Sequence, residues 1–305
     1  MDTACPYTLY LGRLAPNSQR SIASQLNSIA ELLNWPERER AERFAAIDYQ
    51  QASHLQALLL KKGWSARSIN RAMAVIRNIV KIAVMSGKAP EMQALQLQTI
   101  TKVKHGSHRG TPLSVIQVEK LFATLDRNQS PIGLRDSTLF SVLLGTGLRR
   151  SELVALAYAD YSPENKTLFI RQGKGNKSRI VYLPDWVKQA VSQWLTIRGT
   201  GRGPLFVRIA RGGHVQLESP LSASFIYSLV RKTLASIGVE GVSPHDLRRT
   251  FITRLLEQNV DLNTARQMAG HADVSTTVVY DKRHEKVMEA AAANLAYDSN
   301  GDKHE

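Results

Sequence analysis

The chain has 305 residues, 43% of them hydrophobic and 22% charged, which excludes a disordered or collagen-like polymer and a disulfide-stapled miniprotein and leaves room for two ordinary domains. Forty Lys and Arg stand against 26 Asp and Glu, a formal charge of +14 that suits a polyanionic partner, either nucleic acid or an anionic membrane surface. No apolar run approaches the roughly 18 residues of a membrane span, and the single Cys5 permits neither an internal disulfide nor a Cys/His zinc pattern.

The chain opens MDTACPYTLYLGRLAP, with Asp2 and Pro6 where a secretory leader has a basic start and an apolar stretch, so a cytoplasmic protein is expected. The first hundred residues are patterned as helices. Ile22, Leu26, Ile29 and Leu33 form one apolar face of a helix starting near Asn17 or Ser18. A second helix is predicted from Asp48 to Lys62, with Leu55, Leu58 and Leu59 inward and Gly63 as its stop. In the third, Ser65 to Ser86, the residues Ile69, Met73, Ile76, Val80 and Ala83 fall in one arc and Arg67, Arg71, Asn78 and Lys81 in the opposite one. That polar arc fits either a solvated surface or a helix laid against phosphates. A polar, basic, turn-rich seam follows, TKVKHGSHRGTP, giving a helical domain over 1–100, a linker over 101–112 and a second domain over 113–305.

Beyond the seam the pattern mixes helices with a short sheet. Ser114 caps a helix over Val115 to Leu125, and Leu134 to Leu144 forms a buried helix ending at Gly145 and Gly147. Thr167 to Arg171 and Arg179 to Leu183 are β-prone runs flanking a lysine-bearing hairpin tip. Helices resume over 185–197, 222–237, 244–258, 261–268 and 284–296. The expected fold class is mainly α with a small β-sheet.

Five segments of the second domain carry side chains suited to a phosphate. GTGLRRSEL at 145–153 places Arg149 near a helix start, although an Arg149 and Glu152 pair three residues apart would equally decorate a surface. At the hairpin tip Lys174 sits between Gly173 and Gly175, where most lysines are merely solvated. In SPHDLRR the cap Ser243 and Pro244 start a helix whose first turn presents His245 and Arg248 on one face. His271 follows a terminator glycine, and Tyr280 lies among valines, so each alone reads as a turn residue and a core residue.

Together these six residues make the set needed to cut a phosphodiester with a phenol. Guanidiniums neutralise charge on the non-bridging oxygens, an imidazole takes the phenolic proton and a lysine protonates the leaving 5′-oxygen. No carboxylate cluster for two-metal chemistry and no phosphate-loop motif is apparent, so neither metal nor nucleotide cofactor is expected.

The segments GTGLRRSEL, GKGNKSR at 173–179, SPHDLRRTF at 243–251 and GHADVSTTVVY at 270–280 resemble, in order and separation, the tyrosine recombinase or phage integrase family, and within it the Xer-like recombinases. The resemblance spans the second domain; the first is similar to the family's SAM-like core-binding domain in patterning alone. It implies Tyr280 as nucleophile, Arg149 and Arg248 on the scissile phosphate and Lys174 as general acid. It further implies His245 as base or phosphate ligand, His271 as hydrogen-bond donor and Glu152 as support for the first arginine. Arg150 competes with Arg149, and the alignment of GLR favours Arg149.

By the same resemblance, four copies act on two specific double-stranded DNA sites through 3′-phosphotyrosyl links and a Holliday junction, with a second recombinase or accessory protein as a further partner. The last helix, 284–296, would dock on a neighbour through Val287 and Leu295. Two alternatives stand beside this reading: type IB topoisomerase-like strand relaxation, and a DNA-binding regulator that does not cleave.

Overall fold

Residues 5–104, 110–171 and 178–270 are described by the structure, a computed structural model, whose chain packs as two units, Met1–His108 and Arg109–Glu305. The first unit is built from α1 (Pro6–Gly12), α2 (Pro16–Leu32), α3 (Arg40–Ala46), α4 (Tyr49–Lys61), α5 (Ala66–Met85) and α6 (Glu91–Thr99). The long α5 is its axis. Ile69, Met73, Ile76, Val80 and Ala83 are all buried, so the apolar arc expected of this helix is the one that packs. Its ends follow local chemistry: Ser65 Oγ accepts from Ser68 N–H at the start, and Ser86 is the C-cap. Asp48 and Gln51 form a reciprocal capping box that starts α4.

The helices α1, α3 and α6 were not expected. They are seven, seven and nine residues long, too short for their apolar residues to establish a period. Polar groups of the long helices tie the end of this unit down. Arg77 donates to the carbonyls of Leu97 and Ile100, and Asn70 exchanges two 2.9 Å hydrogen bonds with the backbone of Val103. The first residues of the basic seam are thereby held against α5.

The second unit contains α7 (Val115–Leu125), α8 (Pro131–Thr146), α9 (Arg150–Ala155), α10 (Asp185–Arg198), α11 (Ala223–Ser236), α12 (Pro244–Glu257) and α13 (Leu262–Ala269). Strands β1 (Tyr161–Ser162), β2 (Thr167–Ile170) and β3 (Arg179–Tyr182) form one antiparallel sheet in that order; β4 (Val207–Ile209) and β5 (Val215–Pro220) pair separately. The fold is mainly α with small sheets, as expected.

At the centre runs α8, buried on every side from Thr138 to Thr146, which is why it lacks an amphipathic stripe. It starts earlier than predicted, at the cap Ser130 and Pro131, and it passes through Gly145. A glycine stands at 145 within the helix because α10 packs against it: a Cβ there would lie 2.3 Å from Val187 Cγ2. The true stop is Gly147, at φ 63°. The β4–β5 hairpin, turning through Gly212 and Gly213, was also not expected. Among the described residues no helix is long and apolar enough to cross a membrane. The hairpin tip 172–177 and the helix expected over 284–296 lie outside the described residues.

Candidate active site

The left-handed Gly147 turns the chain out of α8, and two residues later Arg149 takes the N-cap position of α9. Three residues on, the carboxylate of Glu152 reaches back: it accepts from Arg149 N–H at 2.9 Å and from Arg149 Nη1 at 2.7 Å. This is the pair that could have decorated a surface. Instead the Glu152 side chain is 2% exposed and that of Arg149 25%. The remaining Nη2 of Arg149 donates to the carbonyl of Gly270 at 2.9 Å, where the described part of the chain ends.

Arg248 and His245 come from the first turns of α12, whose start is braced by Ser243. Its N–H and Oγ both donate to Asp246 Oδ2, at 2.9 and 2.7 Å, while Asp246 Oδ1 accepts from Arg249. Arg248 is 1% exposed and donates from Nη1 to the carbonyl of Gly147 at 2.8 Å, so α12 is latched to the turn that presents Arg149. One pocket of about 360 Å³ is lined by Arg149, Arg150, His245, Arg248, Ser243 and Tyr227 among others. The structure therefore brings together Arg149, His245 and Arg248, with Glu152 behind the first of them.

The electrostatics of the pocket are set by these neighbours. Burial alone would raise the Glu152 carboxyl; the hydrogen bond from Arg179, that from Arg149 N–H and the charges of both guanidiniums outweigh it and bring its pKa down to about 2. His245 is exposed at the pocket, yet the protein packed around it, followed by the charges of Arg249 and Arg248, holds its pKa below the ordinary imidazole value against the pull of Asp246. These surroundings favour the neutral ring over the imidazolium.

Arg150 lines the same pocket as Arg149 but is not tied to Glu152. It is exposed, and its guanidinium stacks over the Tyr227 ring at 5.5 Å from the centroid. Of the two neighbours Arg149 is the one tied inward to Glu152. Arg179, at the start of β3, donates to both oxygens of Glu152 and was not among the expected site residues. Its sequence signal was weak: an arginine at the head of a strand is ordinary until the carboxylate it meets is known to be buried.

Lys174, His271 and Tyr280 lie outside the described residues. The four DNA-binding candidates Arg67, Arg71, Asn78 and Lys81 belong to the first unit, where all are exposed on α5 and Arg71 Nη2 donates to Ser21 Oγ at 3.0 Å.

Comparison with known proteins bears on this arrangement. The profile of the phage integrase family matches residues 112–286. Tyrosine recombinase XerD of Corynebacterium glutamicum is 34% identical over 223 residues, covering 71% of this chain and 70% of that protein. Tyrosine recombinase XerA of Pyrococcus horikoshii is 31% identical over 226 residues, covering 74% and 73%. In three dimensions the chain is similar to the Tn1549 transposon integrase in complex with circular intermediate DNA, with a TM-score of 0.71 and 17% identity over 94% of this chain and 99% of that one. It is also similar to a lambda integrase dimer bound to a core site, with a TM-score of 0.70 and 15% identity over 98% and 96%.

Proposed function

Because this chain belongs to the phage integrase family and is a tyrosine-type site-specific DNA recombinase, we propose that Tyr280 cuts one DNA strand at a phosphate held by Arg149 and Arg248. The observation that carries this reading is the convergence of those two guanidiniums and His245 on one pocket, from α9 and α12, two helices far apart in the chain.

In the proposed step the phenolic oxygen of Tyr280 attacks the phosphorus. A new phosphorus–oxygen bond forms a 3′-phosphotyrosyl ester, and the bond to the 5′-oxygen breaks. His245, whose surroundings favour the neutral ring, accepts the phenolic proton, and Lys174 delivers one to the departing 5′-oxygen. Arg149, Arg248 and His271 stabilise the charge that builds on the non-bridging oxygens. Attack by a 5′-hydroxyl from the second duplex reverses the step and joins the exchanged strand. The ester conserves the bond energy, so rejoining needs no ATP. Relatives of this fold are described with DNA bound; for this chain the partner is double-stranded DNA at specific sites, acted on by four copies in the cytoplasm, with 1–100 and 113–305 dividing DNA binding and catalysis.

The test uses a nicked duplex carrying the site this protein selects from a randomised DNA pool. The unaltered protein should give an SDS-resistant adduct; Tyr280→Phe and Arg248→Ala should give none. An adduct from Tyr280→Phe, or near-normal adduct formation by Arg248→Ala, would overturn the assignment.

A further inference from the structure

Glu152 is held by two arginines, and only one of them faces the pocket. Each carboxylate oxygen has two donors: Oε1 accepts from Arg149 Nη1 at 2.7 Å and Arg179 Nη1 at 3.0 Å, and Oε2 from Arg149 N–H at 2.9 Å and Arg179 Nη2 at 2.8 Å. Arg179 does not line the pocket shared by Arg149 and Arg248; it lines a separate groove with Ile180, Phe251 and Met268. Its side chain is 16% exposed, and its Nε is buried with no acceptor among the described residues, so the two-pronged contact with Glu152 is what orients the guanidinium. Gly270 lies close against that guanidinium: a Cβ there would sit 2.7 Å from Arg179 Cζ. The same glycine's carbonyl receives Arg149 Nη2.

The charges of this cluster explain what the second arginine is for. A buried one-to-one pair of Arg149 with Glu152 would be well oriented but electrically neutral, and a neutral pair has little attraction for a phosphate. A second guanidinium returns the cluster to a net positive charge. It also occupies the outer lone pairs of the carboxylate, so Arg149 is anchored without its charge being cancelled. A lysine could restore the charge but not the fork that meets both oxygens.

We propose that Arg179 is a positioning residue for strand cleavage, acting through Glu152 to hold Arg149 oriented and still cationic toward the scissile phosphate. The inference rests on the reading in which Arg149 binds that phosphate. It assigns Arg179 no contact with DNA.

The experiment measures single-turnover adduct formation at saturating nicked duplex, with DNA affinity and folded fraction measured separately. Arg179→Gln should slow the adduct-forming step about tenfold or more, the scale expected when a buried charge loses one partner, while DNA affinity stays within about twofold. Arg179→Lys should fall between. The double variant Glu152→Gln with Arg179→Gln should be faster than Arg179→Gln alone, because the amide no longer cancels Arg149. A purely structural ion pair predicts otherwise: rates that follow the folded fraction, and a double variant as slow as the single or slower; either result would overturn the proposal. Should Arg179→Gln fail to fold, Arg179→Lys and the double variant carry the comparison, and an Arg179→Lys protein with the unaltered rate counts against it. Failure of the unaltered protein to form any adduct would remove the cleavage reading and this inference with it, whereas normal adducts from a folded Arg179→Gln protein would remove this inference alone.

Discussion

A carboxylate whose side chain is 2% exposed persists in this protein because two guanidiniums share it. The consequence is a pH dependence of stability with a definite sign. The folded pKa of Glu152, about 2, lies below its ordinary 4.5. Its contribution is therefore complete above pH 4.5 and lost as the pH falls toward 2, a difference of roughly 3 kcal/mol. Urea unfolding measured across that window should show a steeper acid loss for the unaltered protein than for Glu152→Gln, and equal slopes would mean that the carboxylate is not held in this way. At this scale the sequence was only partly legible. The spacing of Arg149 and Glu152 was visible, but a surface pair and a buried one share the same spacing; what separates them is Arg179, 27 residues away from Glu152.

Among the secondary-structure elements, the joint between α8 and α9 controls the site. Gly147 holds a left-handed φ of 63°, and a Cβ on it would lie 2.4 Å from Phe251 Cδ1 of α12. Gly147→Ala combines backbone strain with overpacking and should cost about 2–4 kcal/mol in urea denaturation. It should also slow adduct formation by more than the lost folded fraction accounts for, because the carbonyl that receives Arg248 belongs to this residue. An unchanged stability would show that Phe251 yields freely.

Helix starts were legible: Ser114, Asp185, Ser222, Pro244 and Asp261 all mark starts within a residue of those observed. The misses have physical causes. The start of α8 was obscured by a Pro-Ile-Gly opening, its end by a glycine that helix packing demands, and α1, α3 and α6 by their length.

For the whole molecule the excess of 14 positive charges is the dominant long-range fact. DNA affinity should fall steeply with salt, since each cation that meets a phosphate displaces condensed counterions. Replacing Arg67, Arg71 and Lys81 together by Ala should lower the slope of log affinity against log salt by about one per cation that reaches DNA. These side chains are exposed on the face of α5 opposite its core. A slope identical to that of the unaltered protein would leave that face simply solvated.

What the sequence determined by itself is everything carried by short-range spacing: the caps, the apolar arcs, the family-like segments and, with them, the chemical parts of the site. Such features depend on neighbours three or four residues apart, whose geometry a helix or turn fixes locally. What only the tertiary structure decided is which of those parts face one another. That Arg149 is tied to a buried carboxylate while Arg150 stacks on an aromatic ring, that Arg248 latches onto a carbonyl 101 residues away, and that Glu152 is shared all follow from burial. Burying a charge is tolerable only where partners satisfy it, and for Glu152 and Arg248 those partners include residues distant in the chain.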